Sequence, residues 1–289
     1  MKHFQLLLAV LLFQPFAMVA QEYPNNKFPH VTRDLIDDSP LWLYANHKVT
    51  IAGSWGLGLS AQYNKVNQPH VHVEGGYGFM LSGITKSDKF KSKSLRPWID
   101  VFAGYPVFSF KRGVKARYST AITGDREYFY RIKTPTTSMV IPQVGFRLTP
   151  YPLNLYPIDG NGIVKHSAML PTFNFGIKLL SISASTISIR DKETGKRTTG
   201  TTTRMSELYI GMVLPIKQEL SAPDENYNGV LANGAGYEIM FKIPYRHNSI
   251  GTFEIGLRST GYSGSGFGVN KTPTQRMAQI VIGNSFYLN

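Results

Sequence analysis

The chain has 289 residues and a hydrophobic fraction of 42%, ordinary for a soluble protein and too low for a bundle of membrane helices. It contains no cysteine, which excludes disulfides, thiolate metal sites, a thiol nucleophile and a lipidated cysteine anchor. A formal net charge of +13 would point a soluble protein towards nucleic acid, but in an exported chain it points to anionic lipid head groups and sugars.

Export is what the first twenty residues predict. Lys2 and His3 make a short basic start, Phe4 to Phe16 is almost wholly apolar, and Ala17 to Ala20 is the expected cleavage region, with Met18 where a small residue is preferred. The apolar run is shorter than the ~18 residues that a spanning helix needs. Residues 1–20 therefore read as a secretory signal peptide.

From Val49 to Tyr63 the residues alternate strictly. Val49, Ile51, Trp55, Leu57, Leu59 and Tyr63 fall on one face, with Thr50, Ser54, Gly56, Gly58, Ser60 and Gln62 opposite. A period of two is the signature of a strand with one apolar and one polar face. A second run places Val71, Val73, Tyr77, Phe79 and Leu81 on the apolar side, against His72, Glu74, Gly76 and Gly78. The pattern returns along the chain and predicts strands at 48–63, 70–84, 97–110, 126–133, 138–149, 169–190, 203–217, 235–245, 250–262 and 276–288. Plentiful glycine (27), tyrosine (16) and phenylalanine (17) suit strands better than long helices. Strands of about 15 residues with aromatics on the apolar face fit a lipid-facing wall better than a soluble sandwich. The expected fold is all-β, a transmembrane antiparallel up-and-down β-barrel of about ten strands over 47–289. Residues 21–46 are expected to form a periplasmic arm or small plug. Pro106, Pro142, Pro171, Pro215 and Pro244 fall in or at the ends of these strands, where each removes a ladder hydrogen bond, so eight or twelve strands stay open.

The signal peptide followed by Gln21, the long alternating strands and a last strand running to the terminus resemble the small outer-membrane β-barrel proteins of Gram-negative bacteria, of the Bacteroidota type. That resemblance implies residence in the outer membrane, contact with its lipid and lipopolysaccharide, and recognition of the last strand by the barrel-insertion machinery. Ile280, Ile282, Phe286 and Leu288 supply the alternation expected there, interrupted by Asn284 and ending on Asn289. A surface or periplasmic protein is the expected further partner, and nucleic acid is not.

Outer-membrane barrels have short periplasmic turns and longer outer loops. With the N-terminus periplasmic, 134–137, the Glu193–Lys196 region and 246–249 are the short turns. The segments 111–125, 150–168, 218–234 and 263–275 are then the outer loops. The basic stretch 85–96 is the exception, being long where a short turn belongs.

Few residues suggest chemistry. His70, His72 and Glu74 share a strand face at spacing that could hold zinc or copper, although a polar lumen carries such residues without metal. His247-Asn248-Ser249 resembles the His-x-Ser of outer-membrane lipid A deacylases, in which histidine activates serine. Ile250 and Gly251 stand where that family has a following asparagine, and the triplet falls in a periplasmic turn, so it reads as a polar hairpin turn. No catalytic grouping and no cofactor is expected. The lumen is more informative, with Glu74, Asp100, Glu207, Glu238 and Glu254 inward against Arg147, Lys178, Lys242 and Arg258. Across the short turn near 246–249, Glu238 should meet Arg258 and Lys242 should meet Glu254. Nearly balanced charge in a narrow barrel predicts a largely closed, ion-paired interior, with function carried by the outer loops. A narrow channel for a small solute is the alternative, and a lipid-modifying enzyme the remote one.

Overall fold

The computed structural model describes residues 19–22, 27–34, 41–50, 54–80, 95–123, 126–155, 164–191, 194–216, 218–222, 225–244, 251–265 and 276–288. Every regular element among them is a strand. In chain order these are β1 (Val19–Glu22), β2 (Lys27–Asp34), β3 (Leu41–Thr50), β4 (Ser54–Tyr63), β5 (His70–Met80), β6 (Leu95–Gly104), β7 (Phe108–Thr123) and β8 (Arg126–Leu155). They continue as β9 (Val164–Asp191), β10 (Arg197–Pro215), β11 (Gln218–Ala222), β12 (Glu225–Asn233), β13 (Gly236–Pro244), β14 (Gly251–Ser265) and β15 (Arg276–Tyr287).

Ten of them form a closed antiparallel ring, β3-β4-β5-β6-β8-β9-β10-β13-β14-β15 and back to β3. Val281 stands opposite Thr50 at one end of the closing ladder and Tyr287 opposite Tyr44 at the other. The Leu288 amide then donates to the Leu43 carbonyl at 2.9 Å. Each ring strand is joined to the next round the wall, so the fold is an up-and-down barrel. Closure leaves the wall without a free edge, the condition under which so many strands avoid pairing with other chains.

Side-chain alternation sets the two faces. Leu57, Leu59, Val73, Tyr77, Ile99, Phe146, Phe173, Ile177, Ile210, Phe241, Ile255 and Ile280 point outward from successive strands and are exposed. The residues between them are buried, and most are polar or charged. This is the reverse of a soluble domain, whose apolar face is the buried one.

The wall holds the expected ten strands by way of two compensating departures. The segment 48–63 is a hairpin rather than one strand, because β3 and β4 pair from Leu41–Tyr63 to Thr50–Ser54. Three residues separate Thr50 from Ser54, so even-numbered residues face inward on both arms: Tyr44 and Asn46 are buried, as are Ser60 and Gln62. The two arms therefore keep one parity. Conversely, 126–133 and 138–149 are one strand, β8, and 134–137 lies within it rather than in a turn. Thr134, Thr136 and Thr137 are all buried there, and the β9 ladder begins at Thr137–Ile182 on the edge of β8 opposite β7, whose ladder runs on to Val140. The wall begins at Leu41, inside the segment expected to precede it.

These departures reassign the ends. One end carries the N-terminus of β3, the C-terminus of β15 and the connections 64–69, 124–125, 192–196 and 245–250, and we call it the terminal end. The other, the loop end, carries 51–53, 81–94, 156–163, 216–235 and 266–275. The basic segment expected at 85–96 thus joins β5 to β6 at the loop end, with its residues up to 94 outside the described ones. The expected outer loop 111–125 belongs to the terminal end instead. There β6 runs through a bulge at Tyr105–Val107 into β7, which forms a long hairpin with β8. Pro106 sits in that bulge, where a missing amide costs little. Beyond Thr137, β2 takes the place of β8 beside β9, pairing from Asp34–Ser185 to Lys27–Asp191. β1 adds to β8 in parallel from Val19–Arg126 to Glu22–Phe129, so cleavage after Ala20 would leave it only Gln21 and Glu22. At the loop end, 218–234 folds mostly as the β11–β12 hairpin, whose β12 pairs with the far end of β14.

Candidate functional site

The barrel interior is where the chain departs furthest from an ordinary core. All nine charged residues expected to face inward are buried: Glu74, Asp100, Glu207, Glu238 and Glu254, with Arg147, Lys178, Lys242 and Arg258. The alternation of β5, β6, β8, β9, β10, β13 and β14 brings them to one space. Lys48 of β3 joins them, contacting Glu74 and lying 3.6 Å from Glu254. Five acids therefore face five bases, and the described lumen is formally neutral inside a strongly basic chain.

Two clusters make up this network. In the first, Glu238 is wholly buried and takes two arginines, one on each oxygen. Arg258 stands directly opposite on β14 and donates from Nε at 3.0 Å and Nη2 at 2.8 Å to Oε1. Arg147 reaches across from β8, three strands away round the ring, and donates from Nη1 to Oε2 at 2.6 Å. Its Nε lies 2.8 Å from Asp100 Oδ2, and the guanidinium lies over the Phe102 ring at 5.2 Å. Planar guanidinium groups hold carboxylates in this forked fashion better than lysine does.

The second cluster uses lysines at looser distances. Lys178 lies 3.3 Å from Glu207, His72 Nε2 lies 3.5 Å from Glu74, and Lys48 bridges Glu74 to Glu254. Lys242 stands opposite Glu254 on one side and opposite Glu207 on the other. Lys48 also sits 5.2 Å over the ring of Trp98.

Apolar side chains fill what the ions leave. Phe102 and Tyr209 meet edge to face across the lumen at 5.8 Å, packed with Met240 and Val281. Large residues lie over inward glycines of strands one or two places round the ring. A Cβ on Gly145 would lie 2.3 Å from the Phe102 ring, and one on Gly58 would lie 2.6 Å from Trp98. At the terminal end Tyr44, Met139, Ile141, Leu180, Ile182, Ala184 and Met205 form a second apolar cluster, closed over by Val66 of the 64–69 turn. Ions, rings and aliphatics thus share the described lumen.

The remaining candidates fare differently. His70, His72 and Glu74 do share the inward face, but His70 Nδ1 contacts Asn64 at 3.0 Å while His72 contacts Glu74. Among the described residues no group of three histidine, aspartate or glutamate side chains could hold a metal ion. His247 and Ser249 lie outside the described residues, in the terminal-end connection between β13 and β14.

Sequence reading missed Lys48, the cross-lumen reach of Arg147 and the terminal-end cluster. The signal for Lys48 was present, since Tyr44, Asn46 and Lys48 extend the inward parity of β3. The reach of Arg147 joins strands that are not neighbours, and no spacing in the sequence reports it.

Fold and site together define a class: a closed ten-stranded antiparallel barrel with an apolar exterior and a filled, charge-neutral interior. No protein-family model matches the chain, and no curated protein is detectably similar to it in sequence.

Proposed function

We propose that the chain is an outer-membrane β-barrel whose wall sits in lipid, whose lumen is shut, and whose loop-end segments bind a protein partner. The observation that carries this reading is the reversed polarity of the barrel. An exposed belt of Leu57, Ile99, Phe173, Ile210, Phe241 and Ile280 is costly in water, and soluble monomers rarely expose so continuous an apolar surface. In lipid the same belt is the favourable one. Wall strands of about ten residues, tilted as barrel strands are, span about 25 Å, the height of a membrane barrel's apolar band.

A barrel filled by its own side chains acts as an anchor, leaving recognition to the segments beyond the wall. The connection 216–235 is the longest at the loop end and contains the β11–β12 hairpin, which suits it to present a binding surface.

Cell fractionation tests this reading. The protein should be recovered from detergent-extracted outer membrane and shift in mobility on heating. Removing the β11–β12 hairpin should preserve that shift while abolishing capture of the partner. Recovery as a soluble periplasmic protein would overturn the proposal.

A further inference from the structure

The outer wall is not uniformly convex. Near the terminal end a groove of about 390 Å³ opens on its outside, where β7 leaves the ring beside β8, β9, β10 and β13. Its apolar lining includes Phe110, Val140, Leu179, Leu208, Phe241 and Ile243. Ser138 and Ser181, also in the lining, join hydroxyls at 2.7 Å, and Ser206 with the lumen residues Glu207 and Lys242 adds to the polar part of the lining.

Two arginines stand at its terminal rim. Arg112 of β7 lines the groove, with its guanidinium 5.7 Å from the Phe110 ring. Arg204 of β10 lies two residues beyond Ser206, another lining residue, and strand parity puts it on the same face. The other cations of the β7–β8 hairpin are placed differently. Lys115 and Lys133 are opposite each other in register and exposed, and their parity is opposite to that of Phe110 and Arg112.

We infer that this groove holds an anionic phospholipid of the leaflet at the terminal end, its acyl chain on Leu179, Leu208 and Phe241 and its phosphate between Arg112 and Arg204. The inference rests on the membrane reading above. In a bilayer a recess of this size on the outer wall is filled by lipid chain where Phe110, Leu179, Leu208, Phe241 and Ile243 make its outward lining apolar. A chain lying along the wall carries its head group to the belt's edge, where the two arginines stand. Guanidinium groups suit phosphate because they present several donors in one plane.

The test uses the purified full-length barrel in bilayers of phosphatidylethanolamine with a minority of phosphatidylglycerol. Native mass spectrometry reads the lipid retained by each barrel. Phosphatidylglycerol should be enriched over its bulk share, and Arg112→Gln or Arg204→Gln should each lower that enrichment by about fivefold. Lys115→Gln with Lys133→Gln should leave it unchanged. Retained lipid that mirrors the bulk, or an equal loss in the lysine variant, would overturn the site in favour of none or of diffuse attraction. Displacement by soluble glycerol phosphate would overturn the role given to the acyl chain. A barrel that fails to insert, with no heat-modifiable band in either lipid, would instead overturn the membrane reading and remove the basis of the inference.

Discussion

Two regions of the lumen are packed by opposite chemistry. Around Glu238 the packing is ionic, with two arginines on one carboxylate and Asp100 behind them. At the terminal end it is apolar, with Met139, Ile141, Leu180, Ile182 and Met205 packed under the 64–69 turn. An apolar plug fails gradually, since each truncation loses its own transfer energy and leaves a cavity. An ionic plug fails abruptly, because removing one member strands its partners as buried charges. The ionic region is therefore the one where a single change does most damage.

The largest effect expected is at Glu238. Glu238→Ala leaves Arg147 and Arg258 facing each other without their shared carboxylate, and should cost about 3–5 kcal/mol of stability. Urea unfolding in lipid vesicles, followed by tryptophan fluorescence and by loss of the heat-modifiable band, measures it. A loss below that of a conservative apolar truncation would erase the distinction between the two regions.

Ile182→Ala addresses the apolar end. Ile182 is fully buried, and its truncation should cost about 2–5 kcal/mol by transfer and cavity terms, without a strong dependence on salt. The same titration at low and high salt separates the two cases. A salt-sensitive Ile182→Ala would mean that the two regions are not independent.

The wall supplies a third comparison. Leu57 faces outward and is half exposed, so Leu57→Arg should impair assembly by about 2–4 kcal/mol if it lies near the bilayer midplane. Folding yield into vesicles reads the effect. Full tolerance would mean that this face does not meet lipid.

The smallest effect expected is a difference of differences. Lys242 and Glu254 are opposed in register, so Lys242→Met with Glu254→Leu should cost less than the two single changes summed. The coupling should fall within about 0.5–3 kcal/mol, measured by a double-mutant cycle. Strict additivity would mean that the two residues act separately despite their register.

How much of this was legible in the sequence depends on whether a feature is local. Inward parity named Glu74, Glu207 and Glu238 because alternation needs only one strand. Register named Glu238 with Arg258, and Lys242 with Glu254, because a short connection fixes which residues of a hairpin stand opposite. Strand boundaries were less legible. The turn after Thr50 keeps parity, so the alternation gives no sign of a reversal. The Pro135–Thr137 stretch carries turn-forming residues, yet the chain stays extended through it, with the Pro135 carbonyl accepting from Ser183 at 2.9 Å. The outward groove and the reach of Arg147 depend on how a closed sheet curves, which no local pattern encodes.

The central claim is that the barrel is shut by its own side chains, and planar-bilayer recording of the intact purified protein tests it most directly. Inserted barrels should show little or no steady conductance, because Arg147–Glu238 and Phe102–Tyr209 both bridge the lumen. A large, stable, anion-selective conductance would contradict the account and make the narrow channel the better reading.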